Sequence, residues 1–243
     1  MKIKDLKISY GDKVVFDGFD LDIEDNKITC IMGKSGCGKT TLLRAICSQV
    51  EYGGSIEPRP NRLSYVFQQP TLIDNIDVYH NLALVLGKDE GKDAKIKSAL
   101  SRMKLQGYEK RYPHGLSGGE QSRVSLARAY CYGADVMLMD EPFKALDVGL
   151  KYEIIADFVK AKQAQNTTVI FVTHDVDEAL LVGDRIVVLG ANQSNDGARV
   201  IYDQTIALDI GFQLLILRQQ VIDCDLVLFQ LPGEVLHLRE PLF

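Results

Sequence analysis

The feature that most constrains the fold is the loop GKSGCGKT, residues 33–40, which follows the apolar run ITCIM and leads into the helical stretch TTLLRAICSQV. A glycine-rich loop between a buried strand and a helix fits G-x-x-x-x-G-K-[ST], in which backbone amides wrap phosphates. We expect Lys39 to reach the β- and γ-phosphates and the Thr40 hydroxyl to ligate Mg²⁺. A turn that only caps a helix is the alternative. The nucleotide-binding residues predicted in this loop are Gly33, Lys34, Ser35, Gly36, Cys37, Gly38, Lys39, Thr40 and Thr41.

Short and almost entirely apolar runs recur along the chain. Runs of this length, rich in β-branched and aliphatic residues, are typical of strands buried on both faces of a largely parallel sheet. The sequence therefore predicts an α/β fold. The runs are ITCIM (28–32), LSYVF (63–67), VMLM (136–139), TVIFVT (168–173) and RIVVL (185–189).

Polar residues follow the first four of these runs: the phosphate loop, Gln68, the pair Asp140 and Glu141, and His174. Ligands of open α/β sheets bind at the carboxyl ends of the strands, so these side chains should build one site. Because side chains alternate across a strand, Asp140 and Glu141 should point to different places. One can hold Mg²⁺ while the other faces an attacking water; two solvated carboxylates are the alternative.

A second candidate anion site is LSGGE, residues 116–120, ahead of the helix-like run QSRVSLARAY. Ser117 and Glu120 have the spacing of a capping box, and Gly118 and Gly119 leave the backbone between them bare. Free amides and the positive dipole end at a helix start suit an anion. A simple helix cap is the alternative.

Composition excludes several classes of protein. The 243 residues carry a net charge of −5 and no long basic block, which gives nucleic-acid binding little electrostatic support. No apolar run approaches the length of a spanning helix, and the charged, alternating N-terminus predicts no signal peptide. The five cysteines show no paired spacing, which favours reduced thiols in the cytoplasm.

Together these motifs resemble the ATP-binding subunit of an ABC transporter over about residues 1–205. The phosphate loop is similar to Walker A, VMLMDE to Walker B, LSGGEQ to the family signature and VTHD to the switch-histidine motif. KALD at 144–147 is similar to the D-loop, VFQQ places Gln68 in the Q-loop, and YGDKVVF places Tyr10 where the family stacks a ring on adenine.

The resemblance implies a P-loop NTPase core with a mostly parallel sheet, an N-terminal antiparallel β portion and an inserted helical subdomain. The expected boundaries are 1–27 for the antiparallel portion, 28–70 and 132–205 for the core, 71–131 for the helical subdomain with the signature, and 206–243 for a tail without a functional interpretation.

The resemblance also implies roles and partners. ATP and Mg²⁺ are expected, with Thr40, Gln68 and Asp140 as metal ligands, Glu141 polarising water and His174 contacting the γ-phosphate. Two copies are expected to pair head to tail in an ATP-dependent homodimer, docked on an integral membrane permease at the cytoplasmic face and served indirectly by a substrate-binding protein. The residues expected to contact the partner's nucleotide are Ser117, Gly118, Gly119, Glu120 and Asp147.

RYPHGLSGGEQ and DEPFKALD are similar to importers of nitrate, sulfonates and taurine, which predicts a small anion as substrate. Two departures are QQPTLIDNIDVYHN after the Q-loop and Lys144 in the D-loop. The alternative function is a soluble ABC-type ATPase acting on DNA or ribosomes. The chain has one cassette and no heptad insertion, unlike those classes. A non-hydrolysing regulatory subunit is disfavoured because the residues expected to do the chemistry are intact.

Overall fold

The computed structural model describes residues 1–88, 90–163, 166–191 and 197–206. Its elements in chain order are β1 (Lys2–Tyr10), β2 (Lys13–Asp22), β3 (Ile28–Gly33), α1 (Lys39–Ile46), β4 (Gly53–Glu57), β5 (Leu63–Val66), α2 (Val78–Ala83), α3 (Lys92–Arg102), a 3₁₀ turn (Pro113–Gly115), α4 (Gly118–Tyr132), β6 (Val136–Asp140), α5 (Val148–Gln163), β7 (Thr168–Val172), α6 (Val176–Val182), β8 (Arg185–Ala191) and β9 (Ala198–Thr205).

The larger sheet has the strand order β5-β6-β7-β3-β8-β9. Its first five strands pair in parallel, and β9 runs antiparallel to β8 at one edge. Every position of β6 and β7 is buried, as continuous apolar runs require. The predicted α/β fold with a mostly parallel sheet is therefore confirmed. Since β3, β5, β6 and β7 are parallel, their carboxyl ends lie along one edge of this sheet.

The smaller sheet is antiparallel, with the order β2-β1-β4. Residues 53–57, which belong to the expected core range, form β4 and join this sheet through the pairing of Ile56 with Ile3. The sequence GGSIE shows no clear alternation of apolar and polar residues, so its partner strand could not be predicted. The buried faces of both sheets meet around α1, with Phe16, Leu42 and Leu138 in one apolar cluster.

Between β5 and β6 the described chain is helical or in turns. Helix α3 begins at Lys92, and Ile96, Ala99 and Leu100 supply its buried stripe. Buried Arg123 of α4 donates hydrogen bonds to the carbonyls of Met103 and Lys104, which tie α4 to the end of α3.

The predicted tail, residues 206–243, lies outside the described residues except for Ile206. In the part of the chain that the structure describes, no helix combines the length and the apolar character needed to cross a membrane.

Candidate functional site

The phosphate loop is built around two glycines that no other residue could replace without strain. Gly33 has φ 143°, and a Cβ there would lie 2.3 Å from the carbonyl oxygen of Leu189. Gly38 has φ 103°, and its Cβ would lie 2.9 Å from the ring of Phe16. The loop then turns into α1, where Lys39 folds back and donates to the carbonyl oxygens of Gly33 and Lys34 at 2.6 and 2.9 Å. The ammonium is therefore held inside the loop.

The other predicted loop residues differ in exposure. Lys34, Ser35 and Gly36 are exposed at the tip, Cys37 is buried, and Thr40 and Thr41 are half-buried at the start of α1. Tyr10 ends β1 with 50% of its surface exposed, so the ring has a free face for stacking.

Oxygen donors suitable for a divalent cation meet where α1 approaches the end of β6. The Thr40 hydroxyl donates to Asp140 Oδ2 at 2.8 Å, and Asp140 is 4% exposed. Burial raises the pKa of this carboxyl above its usual value, so a bound cation would stabilise its ionised form. Within the described residues no cluster of three or more His, Cys, Asp or Glu side chains could hold a metal. A hydroxyl and one carboxylate suit Mg²⁺, which takes few protein ligands and completes its shell with phosphates and water.

The polar side chains that follow β5 and β7 converge on the carboxylate of Glu141. Its Oε2 accepts a hydrogen bond from Gln68 Nε2 at 3.1 Å, and its Oε1 lies 3.1 Å from His174 Nδ1. Glu141 leaves the strand with φ 46°, a left-handed conformation that is rare outside glycine and often found at functional sites. The structure thus brings together three predicted residues from separate strand ends. The metal-ligand role of Gln68 remains a prediction, since its described contact is with Glu141.

Lys144 also contacts Glu141, and the sequence analysis did not assign it to the site. Its Nζ donates to Glu141 Oε2 at 2.6 Å. Partial burial opposes ionisation of Glu141, but the hydrogen bonds from Lys144 and His174 outweigh it and hold the pKa of the carboxyl below its usual range. The only signal in the sequence was that Lys144 departs from the residue usual in the D-loop.

The second helix start forms the predicted capping box at α4. Ser117 Oγ accepts from the Glu120 amide at 3.3 Å, and Glu120 Oε2 accepts from the Ser117 amide at 2.7 Å. A hydrogen bond from Tyr108 to Glu120 Oε1, together with the cap, lowers the pKa of Glu120. Ser117 and Gly118 are exposed. Within one chain this segment therefore caps a helix and also presents bare backbone to the outside.

A partly buried ionic network that could not be predicted from the sequence includes Asp175, the residue after His174. Lys151 of α5 donates to Asp175 at 2.9 Å and to Glu178 at 3.0 Å, and the Thr173 hydroxyl donates to Glu178 at 2.7 Å. Asp147 precedes the same helix, and its Oδ1 accepts from the Leu150 amide at 3.0 Å. The network joins the helix after the D-loop to the turn that carries His174.

Comparison with known proteins finds a family match and curated relatives. The ABC transporter family matches residues 16–144. The chain is 37% identical over 204 residues to the spermidine/putrescine import ATP-binding protein PotA of Clostridioides difficile (strain 630), covering 78% of this chain and 59% of that protein. It is 39% identical over 196 residues to the aliphatic sulfonates import ATP-binding protein SsuB 2 of Rhodococcus jostii (strain RHA1), covering 79% of this chain and 80% of that protein.

Among solved structures, the dimeric post-hydrolysis state of the ATP-binding cassette MJ0796 with ADP and Pi bound is similar to this chain. The TM-score is 0.73 at 26% identity, over 85% of this chain and 98% of the cassette. ABC cassettes are ATPases that hydrolyse ATP to power transport. The family match and the relatives confirm the resemblance found in the motifs: this chain belongs to the ABC transporter family as one of its ATP-binding cassettes.

Proposed function

We propose that this chain binds MgATP and hydrolyses it. The convergence of Gln68 and His174 on Glu141, beside the Thr40 and Asp140 pair, is the observation that carries the proposal. Lys39 and the loop amides hold the phosphates, and Glu141 takes a proton from the attacking water. The new P–O bond forms on the γ-phosphorus as its bond to the leaving ADP oxygen breaks. Thr40 and Asp140 would hold Mg²⁺, which supplies neutralising charge on the phosphates.

Phosphate release by the purified chain tests this directly. Glu141→Gln keeps the shape of the side chain but removes the negative charge, and loss of general-base assistance costs about 10²–10⁴-fold in rate. Glu153→Gln, at an exposed position of α5, is the matched control and should hydrolyse at the unmodified rate. Equal rates for Glu141→Gln and the unmodified chain would remove Glu141 from the chemistry.

We also propose that two copies pair head to tail, with the signature of each on the nucleotide of the other. The chain carries two candidate anion-binding helix starts, one at the phosphate loop and one at Ser117. The dimer of the MJ0796 cassette supports pairing of such domains. Ser117, Gly118 and Gly119, with Asp147, would act across that interface, and ATP would join the two copies until hydrolysis removes the contact.

We infer that the cassette energises import through an integral membrane permease at the cytoplasmic face, supplied by a substrate-binding protein. Both relatives described above are named as import ATP-binding proteins. Purification from membranes without high salt tests this inference, because a permease should copurify. Recovery without any integral membrane protein would favour the alternative, a soluble ATPase not coupled to transport.

A small anion such as nitrate, a sulfonate or taurine is the proposed substrate, on the basis of PH-x-LSGG and DEPF-x-ALD. The relatives do not determine the sign of its charge, since one is named for polyamines and the other for aliphatic sulfonates. The test is ATPase stimulation of the complete transporter in vesicles. Taurine, an aliphatic sulfonate or nitrate should stimulate hydrolysis, and stimulation by spermidine alone would contradict the proposal.

A further inference from the structure

We propose that Lys144 is a positioning residue that restrains Glu141, occupying one of its carboxylate oxygens until residues 144–147 shift. The inference rests on the proposed ATPase function, because it concerns the residue that polarises the attacking water. It assigns a role to the position where this chain departs from the usual D-loop.

The turn that carries Lys144 sets up this contact. The Lys144 amide donates to the carbonyl oxygen of Glu141 at 3.2 Å, and the same turn brings the ammonium to 2.6 Å from Oε2. The Lys144 side chain is 53% exposed, whereas Glu141 is 15% exposed. The lysine therefore reaches inward from solvent, and on withdrawal its ammonium would return to water.

Occupancy of the carboxylate explains why the contact should restrain hydrolysis. An ionised carboxylate accepts at about four lone-pair positions on its two oxygens. Gln68 and Lys144 both approach Oε2, while His174 approaches Oε1. The ammonium makes the strongest of these contacts because it is charge-assisted. Both lone-pair positions of Oε2 are then taken, so an attacking water that uses Oε2 must displace one of these two donors.

Residues 144–147 also contact the signature, so movement of the signature could separate Lys144 from Glu141. Ala145 follows Lys144 directly, and a Cβ on Gly119 would lie 2.9 Å from the Ala145 carbonyl oxygen. Backbone of the signature thus packs on backbone of the D-loop within one chain. A partner that engages Ser117 and Gly119 would press on the segment that holds Lys144, so that occupation of one nucleotide site loosens the restraint at the other.

Steady-state kinetics of single variants test the proposal. Lys144→Met and Lys144→Gln should raise kcat for ATP about two- to fivefold, since an ion pair whose lysine is half exposed is screened by water and modest in strength. KM for ATP and the affinity for a fluorescent ATP analogue should stay unchanged, because the loss concerns only the reacting step. Lys144→Arg keeps the charge and should behave like the unmodified chain. Lys160→Met, at an exposed position of α5, is the control and should change neither constant.

These measurements distinguish failure of the Lys144 restraint from failure of the ATPase proposal. If the unmodified chain hydrolyses ATP, Glu141→Gln does not, and both uncharged Lys144 variants have an unchanged or lower kcat while binding the analogue normally, the restraint is overturned and the ATPase proposal stands. If Glu141→Gln hydrolyses ATP as fast as the unmodified chain, the ATPase proposal fails and the restraint fails with it.

Discussion

The hydroxyl of Thr40 donates to the carboxylate of Asp140 at 2.8 Å, across a separation of 100 positions in the sequence. Thr40 belongs to the helix that follows the phosphate loop, and Asp140 ends β6, whose two neighbouring strands, β5 and β7, lead to Gln68 and His174. The contact exists only once the parallel sheet has formed. It places the candidate cation site between the phosphate loop and Glu141.

Lys39→Ala is expected to weaken ATP binding at least about tenfold, because the ammonium that we propose contacts the β- and γ-phosphates is lost. Titration with a fluorescent ATP analogue measures this. Lys110→Ala, at an exposed position far along the sequence from the loop, should bind normally. Normal ATPase activity in Lys39→Ala would rule out the Walker A assignment.

Gln68→Ala should retain ATP binding but lose much of its response to the permease. Gln68 is exposed, donates to Glu141 at 3.1 Å and lies two residues beyond the end of β5, before the helical segment. Stimulation of ATPase activity in the reconstituted complex is the measurement, with Gln69→Ala as the neighbouring control. Full stimulation of the Gln68 variant would show that Gln68 does not couple ATP hydrolysis to the permease.

Lys151→Met should lower the free energy of unfolding by ~2–4 kcal/mol, because Glu178 is 4% exposed and would lose a charged partner. Urea unfolding followed by circular dichroism checks this. Lys160→Met, on the same helix, should change the free energy of unfolding by less than about 0.5 kcal/mol. Adding Glu178→Gln to Lys151→Met should recover part of the loss; a purely additive result would show that the two side chains do not interact.

The contribution of the Lys151 network should also depend on pH. Burial opposes ionisation of Asp175, but the hydrogen bond from Lys151 outweighs it and lowers the pKa of this carboxyl. A lowered folded-state pKa adds stability above the unfolded value of about 3.9, and that stability is lost as the pH falls through the folded value. The stability gap between the unmodified chain and Lys151→Met should therefore narrow below about pH 4. A stability difference that stays constant down to pH 2.5 would contradict this role of Asp175.

Much of the sheet could be predicted because its strands bury both faces and read as continuous apolar runs. The same pattern located the polar strand ends, so Gln68, Glu141 and His174 could be expected together. β4 could not be given its partner, because a short glycine-rich strand carries no period that selects one sheet over another.

The contacts of charged side chains were harder to predict from the sequence. Lys144 stood out only as an unusual residue, since nothing in the sequence shows that the turn after Glu141 returns its ammonium to the carboxylate. The Lys151 network joins residues up to 27 positions apart through two helices whose packing is a tertiary property. Helix spacing predicts contacts within one helix but not between helices.

The central claim is that the two helix starts serve two different nucleotides in a head-to-tail dimer. Glu141→Gln should let ATP persist, so that its γ-phosphate joins Lys39 of one copy to Ser117 and Gly119 of the other. Adding Ser117→Arg places bulk and charge on the exposed signature while leaving the phosphate loop intact.

Light scattering at high protein concentration and low salt measures the result. Glu141→Gln should dimerise with ATP and stay monomeric with ADP, and Glu141→Gln with Ser117→Arg should bind ATP yet remain monomeric. If the double variant dimerises with ATP as well as Glu141→Gln alone, the signature does not clamp the partner's nucleotide, and the capping box is its whole role.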